Sequence, residues 1–589
     1  YAHSYLLTSV LTPDYIDADG IRGPSDGDFG GYTKFEYQKT SNFKWRTPVA
    51  TSNNIATFSE GLKSDYTDDK ANIIYGEKDL YYLDKVTTKN YVAVFHKSPR
   101  QDGKGVSGED GAVSSSQTIL RLDSISLYSK RDLTTPLKRV HFEYTYALCQ
   151  GAPNSSSGKL TLKKIYFTYQ NSNRARMSPY VFDYHETNPA ENPNYNIKAY
   201  DRWGNYKPNN LTTTIGVKSA SDANSFIGTT NLAPSDYPYV EQDKLLTDVY
   251  TAVWNLKEIN LPSGGTIKMS YESDEYAYVQ NKQAGQMFKI INYVPTAVGS
   301  DNGNSLKNFA TGGGKFVFKL HNGITDINKY ISGIQYIYFR FLVNIKTSGS
   351  PTYPHLEYVS GYGEIDPANC STSGGYGFIA MKDVNLKDDN TGTNVNPVVK
   401  AGLNFGRLHL PKVVWDATSG SFSGTLSGSI LSSLVNSSFI KNIRDAATGP
   451  SQSLYQYYAV AQEFVTNKSW VRLNNPDGHK LGGGLRVKKI EMIDNWQTMV
   501  GGSANGETSN YGQEYSYNLP DGRSSGVASY EPQLGGDENP FKQPIFVNVK
   551  KLLVPDDQSY VEEPFGESFF PSASVGYSQV TVKNIQRAN

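Results

Sequence analysis

Apolar and polar residues alternate one by one over long stretches of the first half of this chain. "RLDSISLYSK" (121–130), "LKRVHFEYTYAL" (137–148), "KLTLKKIYFTYQ" (159–170) and "YVFDYHE" (180–186) each carry the two-residue period of a strand. Clusters of Gly, Asn, Pro and Ser separate them. The pattern resumes in "AVWNLKEINLPSGGTIKMSYESDEYAYVQ" (252–280), where Pro262-Ser263-Gly264-Gly265 supplies a hairpin turn. Residues 1–295 read as a meandering antiparallel β region.

The pattern changes near residue 295. A polar linker, "VGSDNGNSLKNFATGGG", precedes "KFVFKL", "QYIYFRFLVNIK", "HLEYVSGYGEI" and "YGFIAMKDV", which follow one another at sandwich spacing. This predicts an inserted β-sandwich domain over 296–412. Residues 413–475 read as a linker with one or two helices. In the first, Leu431, Val435, Phe439 and Ile443 recur at four-residue steps; the second spans "SQSLYQYYAVAQEFV" (451–465). From "GGGLRVKKIEMID" (482–494) alternation returns, so 476–589 continues the outer architecture. The last strand, "SVGYSQVTVKNI" (574–585), switches face between Tyr577 and Val580 as a bulge would cause, and its free edge calls for a neighbour. The predicted fold class is all-β, mostly antiparallel meandering sheets, with an inserted β-sandwich domain and a short helical segment.

Composition narrows the function. Among 589 residues, 57 basic side chains balance 57 acidic ones, which argues against a nucleic-acid partner. Forty-three tyrosines and 53 glycines in a weakly charged chain are typical of extracellular β proteins. Cys149 and Cys370 are too few for a disulfide framework and wrongly spaced for zinc; they either pair or sit as buried thiols. No signal-peptide pattern opens the chain, which reads as an excerpt of a longer polypeptide.

The strongest candidate ligand site is the stretch "TPDYIDADGIRGPSDGDFGGYTKFEY" (12–37). Asp17-Ala18-Asp19-Gly20 matches the opening of a calcium loop, with carboxylates at alternate positions and a glycine for the turn. Beyond Gly20 the EF-hand spacing fails, since its twelfth position is Asp28 rather than the longer Glu. Asp14, Asp26 and Asp28 complete an irregular oxygen cage for Ca²⁺ with Asp17 and Asp19; the competing reading is a solvated acidic turn. The formal G-x-S-x-G at Gly23–Gly27 holds a proline and precedes a strand, unlike a nucleophile elbow. Gly158-Lys159 lacks the rest of a phosphate loop and reads as a hairpin turn. The eight histidines show no metal spacing, and His141 and His185 read as wall residues of strands. Asp201-Arg202-Trp203-Gly204-Asn205-Tyr206 is either a sugar platform or, as favoured here, a tight turn whose aromatics fill a sheet edge.

Several stretches are distinctive together: "GKLTLKKIYFTYQ", "SPYVFDYH", "NPNYN" and "YDRWGNYKP", then "SWVRLNNPDGHKLGGGLRVKKIEM", "YGQEYSYN", "SSGVASYEPQLGGDENPF" and "FGESFFPSASVGYSQVTVKN". They resemble the region preceding the YD repeats in very large Rhs-like secreted or surface proteins of Bacteroidota. The resemblance touches nearly all of the chain except the sandwich. It implies a secreted or outer-membrane-associated modular protein whose sheet wall continues into a shell enclosing or presenting a C-terminal toxin or effector. It also implies a D-x-x-G-D-G-like run at the acidic loop, which favours calcium. The partners it implies are other parts of the same polypeptide and secretion or outer-membrane components.

The resulting expectation is a non-enzymatic scaffold or shell segment. The first alternative is a carbohydrate-binding or adhesive module that meets glycans on the Tyr-rich sandwich face at 312–400. The second is a glycoside hydrolase, for which no carboxylate pair stands out.

Overall fold

The alternating segments pair, through the first eight strands each with its chain neighbour and then across longer connections, into one antiparallel sheet of thirteen strands. It runs from Ser9–Leu11 through Tyr32–Arg46, Tyr75–Thr88, Tyr91–Val106, Val113–Ser129, Lys138–Thr145, Thr161–Thr168 and Tyr180–Tyr184. It then takes in Leu256–Asn260, Thr266–Tyr276, Lys480–Ile493, Asn510–Ser516 and Thr581–Arg587. These strands belong to a computed structural model that describes residues 5–47, 74–184, 192–196, 199–208, 217–218, 226–227, 243–294, 306, 314–345, 356–386, 392–409, 455, 460–466, 468–494, 510–532, 536–549, 557–563 and 573–587. The chain is mostly β, with large antiparallel sheets, and among the described residues it has three short α-helices and no closed barrel.

The long first strands owe their register to period-2 patterning and to short turns. At the predicted hairpin, Gly264 N–H donates to Leu261 O at 2.9 Å and Leu261 N–H to Gly265 O at 2.8 Å, with Gly264 at φ +86°. A Cβ at Gly264 would be strained there. Through Tyr184 most strand side chains are half-exposed, and among the described residues the buried apolar clusters draw their members from Tyr276 onward. Among the described residues this part of the wall is a single layer, held by its hydrogen-bond ladder and by cross-strand pairs. Lys138 Nζ lies 4.2 Å from the Phe167 ring centre, His141 stacks on Tyr166 at 4.5 Å, and Lys39 meets Asp79 at 2.8 Å. Each such pair is worth only about 0.2–1 kcal/mol, so the layer depends on their number.

A second, eight-stranded sheet carries the main core. Its order is Leu356–Glu364, Tyr336–Asn344, Trp470–Asn474, Gly285–Val294, Lys315–Lys319, Tyr376–Ala380, Ser371–Ser373, with Glu463–Phe464 also on Tyr336–Asn344. Gly285–Val294 pairs with Trp470–Asn474 through its first half and with Lys315–Lys319 through its second; its register shifts between Ile290 and Asn292. The bend produces a sandwich-like arrangement in which both halves bury Phe288, Phe316, Phe318, Phe339, Phe341 and Ile379 in one core.

Three local expectations need revision. The expected helix over 451–465 is not continuous, because Glu463–Phe464 pairs as strand with Val343 and Asn344; the helix expected around 431–443 lies outside the described residues. The helix that does pack on the sheet is Pro397–His409, opened by Pro397 after Asn396, whose side chain accepts from Val398 N–H at 3.0 Å. Its two glycines obscure the helical signal in sequence, yet Gly402 is where the helix meets the sheet. Lastly, the final strand is not one bulged strand. Val575–Tyr577 joins a small sheet with Gly526–Ala528 and Tyr278–Val279, whereas Thr581–Arg587 closes the thirteen-stranded sheet. Ser578 N–H to Ser525 O at 3.1 Å and Ser525 Oγ–H to Gln579 O at 2.6 Å hold the crossing.

A Cβ at Gly402 would come within 2.7 Å of Ala461 Cβ and 3.2 Å of Val343 Cγ1. Gly402→Val is expected to destabilise the protein by about 1–3 kcal/mol through overpacking, read from the urea midpoint. Gly576→Ala serves as the control, since nothing lies within 4 Å of a Cβ there.

Candidate functional site

The acidic loop closes on itself as the hairpin between the first two strands. Ile16 and Phe29 exchange backbone hydrogen bonds at 3.2 and 3.0 Å, and Thr12 N–H donates to Gly31 O at 3.0 Å. Asp28 is buried at its centre, accepting from Tyr15 O–H at 2.7 Å, Ser25 N–H at 2.8 Å and Ala18 N–H at 3.1 Å. The phenol and these amides hold its carboxyl below the ordinary range. Asp17, Asp19 and Asp28 each bring a carboxylate oxygen within 4.8 Å of the other two. Asp14 and Asp26 do not join that trio. Asp26 turns to Lys130 and to Tyr32 O–H at 2.5 Å, and Asp14 is engaged by Thr12. Ser25 of the formal G-x-S-x-G donates to Asp19 and accepts from Gly27 N–H at 3.0 Å, so it acts as a loop cap. Three carboxylates around one point are oxygen ligands of the kind Ca²⁺ takes, but its six to eight oxygens would need carbonyls or water as well.

A different cluster sits where the two large sheets meet. Arg202 Nη2 lies 2.5 Å from Glu531 Oε2 and 2.9 Å from Glu538 Oε2. Lys480 Nζ lies 2.8 Å from both Glu531 Oε1 and Glu538 Oε2. Tyr276 O–H donates to Glu531 Oε1 at 2.8 Å and Met287 N–H to Glu538 Oε1 at 2.9 Å. All four charged side chains are buried. Burial lowers the pKa of Lys480, reinforced by the charge of Arg202; for Glu538 burial acts upward but the two cations outweigh it and hold the acid ionised.

The Asp201–Tyr206 stretch is a turn, with Asp201 Oδ1 accepting from Trp203 and Asn205 N–H, each at 2.9 Å. Trp203 packs edge-on against Tyr276 at 5.9 Å, and Tyr206 packs against Trp254 at 5.3 Å. Arg202 reaches the distant glutamates Glu531 and Glu538.

Above this quartet opens a cleft of about 1060 Å³. On one wall, His321 Nε2 lies 2.9 Å from Asp477 Oδ2, and Asn322 Nδ2 donates to the same oxygen at 2.7 Å. On the other, Glu275 Oε1 meets Arg486 at 3.0 Å and His479 Nδ1 at 3.3 Å. Burial pushes Glu275 and Asp477 upward, but the bonds to His479 and Arg486 for the first, and to His321, His479 N–H and Asn322 for the second, prevail and hold each at about 2. The bond to Glu275 raises the pKa of His479 against burial.

Within the Tyr-rich face at 312–400, Tyr376 is exposed, but Tyr336 and Tyr362 are covered. The hairpin of Gln543–Val549 and Asp557–Glu563 lies over them: Tyr560 packs on Tyr362 at 5.1 Å, Phe546 on Tyr336 at 5.2 Å, and Tyr362 O–H reaches Glu562 at 2.8 Å. Cys149 and Cys370 are both free, buried thiols. His185 lies outside the described residues. Sequence reasoning missed the cleft because its pairs are remote, His321 and Asp477 being 156 positions apart and Arg202 and Glu531 329. The available signal was the density of polar side chains in "NNPDGHK" (474–480). No family model, curated protein or solved structure matches the chain.

Glu531→Gln leaves buried cations underneutralised and is expected to cost about 3–5 kcal/mol in urea unfolding. Lys480→Met combined with Glu531→Leu is expected to cost less than the sum of the single changes. The cleft pairs also predict a pH profile. The depressed carboxyls stabilise above their ordinary values of 4.5 and 3.8, and that stability is lost as pH falls toward about 2. The contribution of His479 is full below 6.5 and is lost as pH rises through its raised value. Melting temperature should therefore peak between 4.5 and 6.5. Glu275→Gln should flatten both limbs; an unaltered profile would show that the pair contributes nothing.

Proposed function

We propose that this chain is a non-catalytic scaffold segment of a large secreted or cell-surface polypeptide of the Rhs-like kind, its long sheet forming part of a wall that encloses or presents a C-terminal effector. The observation that supports the reading most directly is the thirteen-stranded sheet itself. Its first eight strands are laid down in chain order as a single layer. Its outermost described strands, Ser9–Leu11 and Thr581–Arg587, each pair on one side alone. Such edges are aggregation hazards unless further chain covers them. The cleft carboxyls with displaced pKa also favour a non-hydrolytic role. Glu275, Asp477 and Glu538 all move downward, whereas a glycosidase acid must stay protonated near neutrality. Asp274 moves upward on burial but is not among the residues lining the cleft.

In this reading a calcium ion at Asp17, Asp19 and Asp28 is a staple of the first hairpin. A higher melting temperature in millimolar calcium than in chelator supports it; superimposed curves remove the ion. The wall is tested by hydrogen exchange on Thr581–Arg587. Amides pointing away from Asn510–Ser516 are expected to exchange rapidly in this chain and to be protected in the longer secreted polypeptide. Equal exchange in both would overturn the continuous wall.

A further inference from the structure

We propose that the cleft at the sheet junction is a binding site for an uncharged oligosaccharide. Its volume of about 1060 Å³ reaches the upper end of the roughly 300–1,000 Å³ usual for ligand sites, enough for several sugar units rather than one. Six lysines and arginines, two histidines and six carboxylates line it, a near balance that gives no strong preference for a charged ligand. Most of its deep charges are committed to one another: Arg202 and Lys480 to the glutamates beneath, and Arg486 to Glu272 at 2.7 Å and Glu275 at 3.0 Å. An ionic ligand would have to compete with those pairs. A hydroxyl both donates and accepts, and can add to them without altering the charge balance.

Beside the charged Lys244, Lys488, Glu514 and Lys583, the cleft's lining includes planar amides and imidazoles held in fixed relation. Asn322 Nδ2 approaches His321 Nε2 at 3.1 Å while both meet Asp477, and Asn475 Nδ2 donates to Gln286 Oε1 at 3.0 Å. Asn475 Oδ1 in turn accepts from Gly478 N–H at 2.8 Å. Ordering on binding therefore costs little. Asn322 sits at φ 47°, a left-handed conformation that brings two consecutive side chains, His321 and Asn322, onto one carboxylate oxygen. Backbone of this kind outside glycine concentrates at ligand sites. At the rim, half-exposed Tyr515 and exposed Leu245 offer apolar surface for a sugar's C–H face, with Asn518 exposed beside them.

The test is a printed array of neutral and acidic glycans probed with the whole chain, followed by calorimetry with the best neutral hit. Two variants accompany it. Asn322→Gly keeps the left-handed turn and removes the amide; Asn518→Trp fills the rim. The proposal expects a neutral glycan to bind, Asn322→Gly to weaken it at least tenfold while the chain remains folded by circular dichroism, and Asn518→Trp to abolish it. Capture of no neutral glycan, preference for acidic ones, or equal affinity in both variants overturns it.

Discussion

The buried exchange between Arg202, Lys480, Glu531 and Glu538 is what the rest of the junction depends on. It gathers a turn after the eighth wall strand, the start of Lys480–Ile493 and the segment following Gly526–Ala528; Tyr276 and Met287 enter from two further strands. Two positive and two negative buried charges cancel, and the remaining glutamate oxygen is satisfied by a backbone amide. Removing ions from water is costly, and only such complete pairing repays it. Buried ion pairs are seldom a large source of stability compared with apolar packing, but they are intolerant of misplacement. Here that intolerance fixes how the single-layer wall meets the sandwich-like domain.

The two large sheets hold themselves together by different physics. The sandwich-like sheet folds over an aromatic and aliphatic core, with Phe316, Phe318, Phe339 and Phe341 fully buried. The wall before residue 184 has no comparable cluster among the described residues. It relies on ladder hydrogen bonds and on lysine or arginine lying over tyrosine, phenylalanine and tryptophan, as with Lys130 over Tyr32 at 5.3 Å and Arg121 over Tyr144 at 5.5 Å. The high tyrosine content serves this layer well, because a ring can cover its neighbour while its hydroxyl stays wet.

The wall was the most legible part of the sequence, because a two-residue period directly encodes which way each side chain faces. The strand class of "KLTLKKIYFTYQ" and the turn at Pro262–Gly265 follow from local chemistry alone. Pro397–His409 was hidden by the glycines that let it approach the sheet, and the crossing at Ser578–Val580 looks locally like a bulge because both leave the same break in alternation. The acidic loop could be picked out by composition, yet its hydrogen bonds divide the aspartates in a way composition does not encode: Asp28 inward, Asp26 to a lysine 104 residues away. The cleft was invisible, since charged residues separated by hundreds of positions carry no mutual signal until the chain brings them together.

The crossing from Val575–Tyr577 to Thr581–Arg587 also bears on how far along the chain the contacts of the fold reach. The first eight wall strands pair with their immediate chain neighbours, so their contacts are far more local than those of the junction. There Arg202 meets Glu531 329 positions on, and Asp274 meets Tyr577 303 positions on. Loop closure over such distances costs more entropy than pairing neighbouring strands. The same fold therefore joins two kinds of contact, neighbour-to-neighbour pairing along the early wall and closures over some three hundred positions at the junction.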